Sequence, residues 1–214
     1  MTDTGRTLYG YWRSSAAYRT RIALGLKGLA YDAVVIDLRT GEQAEPAFKA
    51  INPQGFVPFL VDGDAGMSQS LAIIEYLEEV YPEPPLLPAG AAERARVRAL
   101  ALTVACDIHP LNNLRVLKHL ENDLGLDKGA VNAWARRWIE AGFDSLEQQA
   151  ADPYLTGDTV TLADICLVPQ MYNARRVETD LSRFPKLLAI EARLQALPAF
   201  AAARPEVQPE AVPV

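Results

Sequence analysis

Histidine and cysteine are scarce in this sequence: of 214 residues, 2 are His and 2 are Cys. His109, His119, Cys106 and Cys166 show no metal-ligand spacing, which argues against a zinc site. The cysteines lie far apart, each within an apolar helical pattern. They read as two buried thiols in a reducing compartment rather than as a disulfide. Positive charge is also short, with 21 Lys and Arg against 27 Asp and Glu, a formal net charge of −6. Nucleic acid is therefore not an expected partner, because phosphate binding needs a basic face. A local basic pocket for a small anion is still allowed. No stretch reaches the roughly 18 uninterrupted apolar residues of a membrane helix, so no membrane partner is expected. The opening stretch Met1–Arg6 is polar and no apolar segment follows it. A secretory signal is not expected, and a cytoplasmic location is.

What is present is the composition of an ordinary globular chain, 50% hydrophobic and 22% charged. The length suits one or two domains with cores that need no staples. Thr7–Trp12 reads as a strand, and Ser14-Ser15 as the start of a helix with Ile22, Ala23 and Leu26 at helical spacing. Gly28 closes that helix, and Tyr31–Ile36 is a second strand. Val57–Val61 reads as a third, although Pro58 cannot donate to a sheet ladder; an edge position or a cis peptide bond would accommodate it. A short helix is expected at Pro46–Ala50 and a short strand near Ala65–Met67. Ser70 is expected to cap a helix that carries Leu71, Ile74 and Leu77. Residues 81–90 hold four prolines and a glycine and form the best domain boundary. Beyond it only helical patterns appear, at about 91–121, 129–150, 162–177 and 185–197. The fold class is thus α/β followed by all-α, with domains at 1–83 and 90–214. The tail from Arg204 reads as loosely ordered.

Several residues point to chemistry. A helix start at Ser14 and Ser15 offers free N–H groups and a positive dipole end, which favour an anion. Gln69 and Ser70 read by themselves as a turn and a helix cap. His109 and Asn113, four apart, should share a helix face, kinked by Pro110 between them. Arg13, Arg115, Arg175 and Arg176 have the planar fork that binds carboxylate. Thr161 and Asp164 fit a capping box, a folding element.

Five segments carry a resemblance. YWRSSAAYRTRIALGLKG (11–28), NPQGFVPFL (52–60), QSLAIIEYLEE (69–79), DIHPLNNLRVL (107–117) and TLADICLVPQMYNARR (161–176) resemble zeta-class glutathione transferases, also called maleylacetoacetate isomerases. The match covers nearly the whole chain in order. It implies a thioredoxin-like domain plus a helical domain, glutathione as cofactor and a homodimer. It implies glutathione contacts at Ser14, Ser15, Gln43, Val57, Pro58, Gln69, Ser70, His109 and Asn113. The sulfur would sit at Ser14 and Ser15, with Arg13 beside it, and which serine acts is open. The implied reaction is cis–trans isomerisation of a small diacid held by Arg13, Arg115, Arg175 or Arg176. Maleylacetoacetate and maleylpyruvate both fit. A transferase that conjugates or dehalogenates haloacids and a noncatalytic binding module are the other readings. The module would be expected to lack the hydroxyls of Ser14 and Ser15, which are present. Ala16 departs from the family, where many members have Cys. Thiol chemistry must then come from glutathione, unlike the omega and dehydroascorbate-reductase types.

Overall fold

The computed structural model describes residues 5–212. The chain forms two compact units. One runs to Pro85 and takes in the chain from Leu197 onward; the other is Leu86–Ala196.

The first unit is built from β1 (Arg6–Gly10), α1 (Ser15–Leu26), β2 (Asp32–Val35), α2 (Pro46–Ile51), β3 (Phe59–Asp62), β4 (Ala65–Ser68) and α3 (Ser70–Val80). Its four-stranded sheet has the order β2-β1-β3-β4. β1 pairs in parallel with β2, Thr7 opposite Asp32, and antiparallel with β3, Tyr9 opposite Phe59. A parallel pair needs a crossover, which α1 supplies. This is the thioredoxin-like arrangement that the resemblance implies, and the second unit is all helical. β3 starts two residues later than the apolar run suggested. Val57 and Pro58 stand before the ladder, joined by a cis peptide bond.

α1 is buried on nearly every side, with Ala17, Tyr18, Ile22, Ala23 and Leu24 inside. Such a helix needs cover beyond the sheet and α3. The chain after Leu197 provides it. α9 (Pro198–Ala203) packs on α1 so closely that a Cβ at Gly25 would stand 3.2 Å from the Ala199 Cβ. By its contacts, the chain from Leu197 onward groups with the first unit. Nor is the tail loose through Gln208, whose Nε2 donates to the carbonyls of Ala202 and Arg204, both at 2.9 Å.

The second unit holds α4 (Ala91–Leu102), α5 (Leu114–Lys118), α6 (Lys128–Gln149), α7 (Leu162–Arg176) and α8 (Pro185–Gln195). α7 is its centre: every residue from Leu162 to Met171 is buried. Its start is held as expected by Thr161 and Asp164. Asp164 accepts from the N–H of Thr161 and of Leu155, each at 2.8 Å. Burial raises the Asp164 carboxyl pKa, and these hydrogen bonds oppose that rise.

The expected helix over 91–121 is broken. After α4 come a π-helical turn at Thr103–Ile108, a 3-10 turn at His109–Asn112, α5, and a second π-turn at His119–Asp123. Pro110 has no N–H to donate, and Asn113 is extended and starts α5 afresh as its N-cap. The π-turn seats Ile108 against α6, where its side chain fills the space a Cβ on Gly142 would need. It also turns Cys106 outward. Only Cys166 is a buried thiol; Cys106 is exposed, against expectation.

Candidate functional site

The first unit gathers its expected site residues around two helix starts. At α1, Ser14 is the N-cap, and its Oγ accepts from the N–H of Ala17 at 3.2 Å. An acceptor position of that hydroxyl is thus used, and its proton remains for another partner. Ser15 is the first helical residue and is 5% exposed. With the Ala17 N–H capped and that of Tyr18 bonded to the Ser14 carbonyl at 2.8 Å, the N–H groups of Ser15 and Ala16 face no helical acceptor. An anion placed here meets these N–H groups, a hydroxyl donor and the positive end of a 12-residue helix. Arg13 lies just before, its guanidinium 5.2 Å from the centre of the Trp12 ring.

At α3 the chain differs from the expectation. Ser70 is the first helical residue and not the cap; the cap position belongs to Gln69. Gln69 has φ 70° and ψ 113°, a left-handed backbone rare for a residue with a side chain. Such a conformation costs on the order of 1–3 kcal/mol and persists only where its surroundings enforce it. One restraint is on the side chain, since the Gln69 Nε2 donates to the Gln54 Oε1 at 2.8 Å.

Gln54 belongs to the loop before Val57 and Pro58. That loop is braced by Asn52, 3% exposed, whose Nδ2 donates to the Phe56 carbonyl at 2.8 Å. Gly55 at φ +66° lets the loop pass Gln43: a Cβ there would meet the Gln43 carbonyl oxygen at 2.8 Å. The Gln43 side-chain Oε1 is buried with no hydrogen-bond partner among the described residues. A buried acceptor without a donor calls for one from a ligand or water. Gln43 thus lies beside the loop that carries Val57 and Pro58, Gln54 joins that loop to Gln69, and Ser70 follows. Arg19, 2% exposed on α1, closes the arrangement by donating to the Ser70 Oγ at 3.4 Å. Arg19 and Gln54 were not singled out from sequence. A charged residue on an apolar helix, one turn past Ser15, was the available signal for Arg19. Nothing marked Gln54.

In the second unit, His109 opens the 3-10 turn and Asn113 caps α5, so the two do not share a helix face as expected. They still meet across the break, with Asn113 Nδ2 3.4 Å from His109 Nε2. Arg115 is exposed on the first turn of α5, and its N–H donates to the Asn113 Oδ1 at 3.2 Å. The structure separates Arg175 from Arg176. Arg175 makes a two-pronged pair with Glu191, at 2.6 and 2.5 Å. Arg176 is exposed, with its Nη1 3.2 Å from the Asn173 Oδ1.

Comparison with known proteins matches both halves. Residues 8–85 match the family model of the glutathione S-transferase N-terminal domain, and residues 91–202 that of the C-terminal domain. A probable maleylacetoacetate isomerase of Vibrio cholerae is 53% identical over 209 residues, 95% of this chain and 97% of that protein. The holo structure of a maleylpyruvate isomerase, described as a bacterial zeta-class glutathione S-transferase, is 49% identical. It superposes with a TM-score of 0.94 over 96% of this chain and 100% of its own. A maleylacetoacetate isomerase of Methylobacterium extorquens AM1, solved with bound malonate and glutathione, is 42% identical, with a TM-score of 0.93 over 97% of this chain and 100% of its own. With both of its halves matched and such relatives aligned nearly end to end, this chain belongs to the glutathione S-transferase family, in its zeta class.

Proposed function

We propose that this chain is a glutathione-dependent cis–trans isomerase that converts maleylacetoacetate to fumarylacetoacetate. The observation that carries the proposal is the pair of helix starts in one unit. Each bears a serine whose hydroxyl already accepts a bond from the protein and keeps its proton to donate. Such a site suits a molecule with an anionic sulfur at one end and a carboxylate at the other.

Glutathione, when bound, supplies a thiolate whose reversible addition to the cis double bond lets that bond rotate. The chain's own residues do the rest. Ser14 and Ser15, with the N–H groups at the start of α1, favour the thiolate over the thiol, each pKa unit being worth about 1.4 kcal/mol. Ser70 and Gln69 hold the γ-glutamyl carboxylate. The backbone at Val57 and Pro58 binds the cysteinyl group, and Gln43 offers its unused acceptor. His109 and Asn113 contact glutathione or substrate. Arg13, Arg115 and Arg176 hold the carboxylates of the diacid and neutralise charge as an enolate develops. Arg176 is preferred to Arg175, which is committed to Glu191. A homodimer in the cytoplasm is part of the same reading, as is a boundary near 81–90 between a glutathione-binding domain of residues 1–83 and the helical domain that contributes the substrate site.

Maleylpyruvate is the second substrate reading, favoured by the likeness to the maleylpyruvate isomerase. The substrates differ by a short keto tail. Each is generated enzymatically and followed by ultraviolet absorbance with the enzyme, with and without glutathione. Rapid glutathione-dependent conversion of maleylacetoacetate, faster than that of maleylpyruvate, is the expected result. The reverse preference gives the second reading. Conversion of neither, by a protein that binds glutathione, refutes the isomerase reading and leaves a conjugating transferase or a binding module.

A further inference from the structure

We propose that Arg19 is a positioning residue for glutathione: it fixes the Ser70 hydroxyl as a donor toward the γ-glutamyl α-carboxylate and ties that subsite to the helix of the sulfur site. The inference rests on the glutathione reading above.

Arg19 sits one turn after Ser15 on α1 and is 2% exposed. A buried arginine is rare and needs a reason, because removing a guanidinium from water is unfavourable unless it is hydrogen-bonded. Its Nη1 lies 3.4 Å from the Ser70 Oγ, on a different helix and 51 positions away in sequence. A guanidinium has donors and no acceptor. In this pair Ser70 must therefore accept, and its own proton is turned to something else. Ser70 is 5% exposed, so bulk water is not a ready partner. The groups around it are the start of α3, with its free N–H groups and positive dipole end, and the strained Gln69. The helix start favours negative charge at that point. A hydroxyl left free to rotate could present its lone pairs to an arriving carboxylate. One held by Arg19 presents its proton.

The same contact has a second effect. Arg19 and Ser15 share α1, while Ser70 begins α3. The contact therefore links the two helix starts between which one tripeptide would lie. Arg19 itself touches no reacting atom. Its effect is expected in glutathione affinity and not in the rate at saturating glutathione.

The test is calorimetric titration of the full chain with two ligands: glutathione, and 4-aminobutyryl-cysteinyl-glycine, which lacks only the α-carboxylate. Arg19→Met is expected to weaken glutathione about 10- to 100-fold, the range for losing a charge-assisted hydrogen bond. It is expected to weaken the analogue by less than about 3-fold, and to leave kcat at saturating glutathione near that of the parent. Arg19→Lys, which keeps the charge, should fall between. In a Ser70→Ala background the Arg19 substitutions should add little, since the two residues act as one unit. If Arg19→Met does not fold, as judged by circular dichroism, Arg19→Lys carries the same comparison. Equal weakening of both ligands, or full additivity with Ser70→Ala, means a merely structural arginine and overturns the proposal. Undiminished glutathione binding overturns it too. A parent chain that binds neither ligand removes the glutathione reading itself. One that binds glutathione as described but isomerises neither maleyl compound removes only the isomerase reading.

Discussion

Replacing Lys27 by Met should destabilise the first unit strongly. Lys27 follows α1, and its side chain is 0% exposed, against 9% for its partner Glu78 on α3. Its ammonium has three donors and meets three acceptors: the Glu78 Oε2 at 2.8 Å, the Tyr81 carbonyl at 2.7 Å and the Pro84 carbonyl at 3.0 Å. Methionine fills similar volume but donates nothing. A carboxylate is left in the interior without its cation, and two carbonyls lose a donor. Breaking a buried pair from one side costs about 3–5 kcal/mol. For a chain of this size about 1 kcal/mol moves Tm by roughly 2–4 °C, so a fall of about 6–20 °C is expected. Removing both charges, as Lys27→Met with Glu78→Leu, should recover much of the loss, because no charge is then stranded. The assay is urea unfolding and thermal melting followed by circular dichroism, on the parent, both single variants and the double variant. A single variant within about 1 kcal/mol of the parent refutes the reasoning. So does a double variant that loses the sum of the singles.

Three further outcomes are expected. Ser14→Ala should lower stability by about 0.5–2 kcal/mol because it removes the α1 cap, while Ser15→Ala should not. The serine that acts on sulfur is the one whose loss raises the pKa of bound glutathione, read from thiolate absorbance, by about 1 unit or more. Arg176→Ala should raise KM for the diacid with little change in Tm. Arg175→Ala should lower Tm, because Glu191, with its side chain 8% exposed, loses its partner. The Arg39 side chain, through its hydrogen bonds to the carboxylate, holds the Asp37 carboxyl at about 2. A depressed pKa favours the folded state above the unfolded value of 3.8 and loses that contribution as pH falls through about 2. A carbon-detected titration of Asp37 should move back toward 3.8 in Arg39→Ala; an unchanged midpoint would assign the shift to something else.

The parts of the fold set by local rules were legible in sequence. Ser14 caps α1 because a hydroxyl beside a free N–H is a short-range matter. Pro58 stays out of the ladder because it has no N–H to give. The Thr161 and Asp164 box needs only residues three apart. The prolines of 81–90 stop regular structure wherever they occur, and Ser14, Ser15, Gln69 and Ser70 lie at helix starts that turn residues announce. Other features depended on neighbours distant in the chain. The break at His109–Asn113 followed from Pro110 only in part; it also seats Ile108 against Gly142 on α6, a contact that no local pattern announces. The return of α9 to α1 answered an apolar surface that no local pattern assigns to a partner. Cys106 and Cys166 sit in similar apolar surroundings in sequence, and only packing decided which is buried. Arg175 and Arg176 are adjacent and chemically identical, and only packing brings Glu191 to Arg175. Arg19 reads as one more helical arginine until Ser70, far along the chain, is brought to it. Local pattern specifies which groups a segment can offer; which of them meet is decided by long-range packing, because burial leaves a charged or polar group only the partners that the fold supplies.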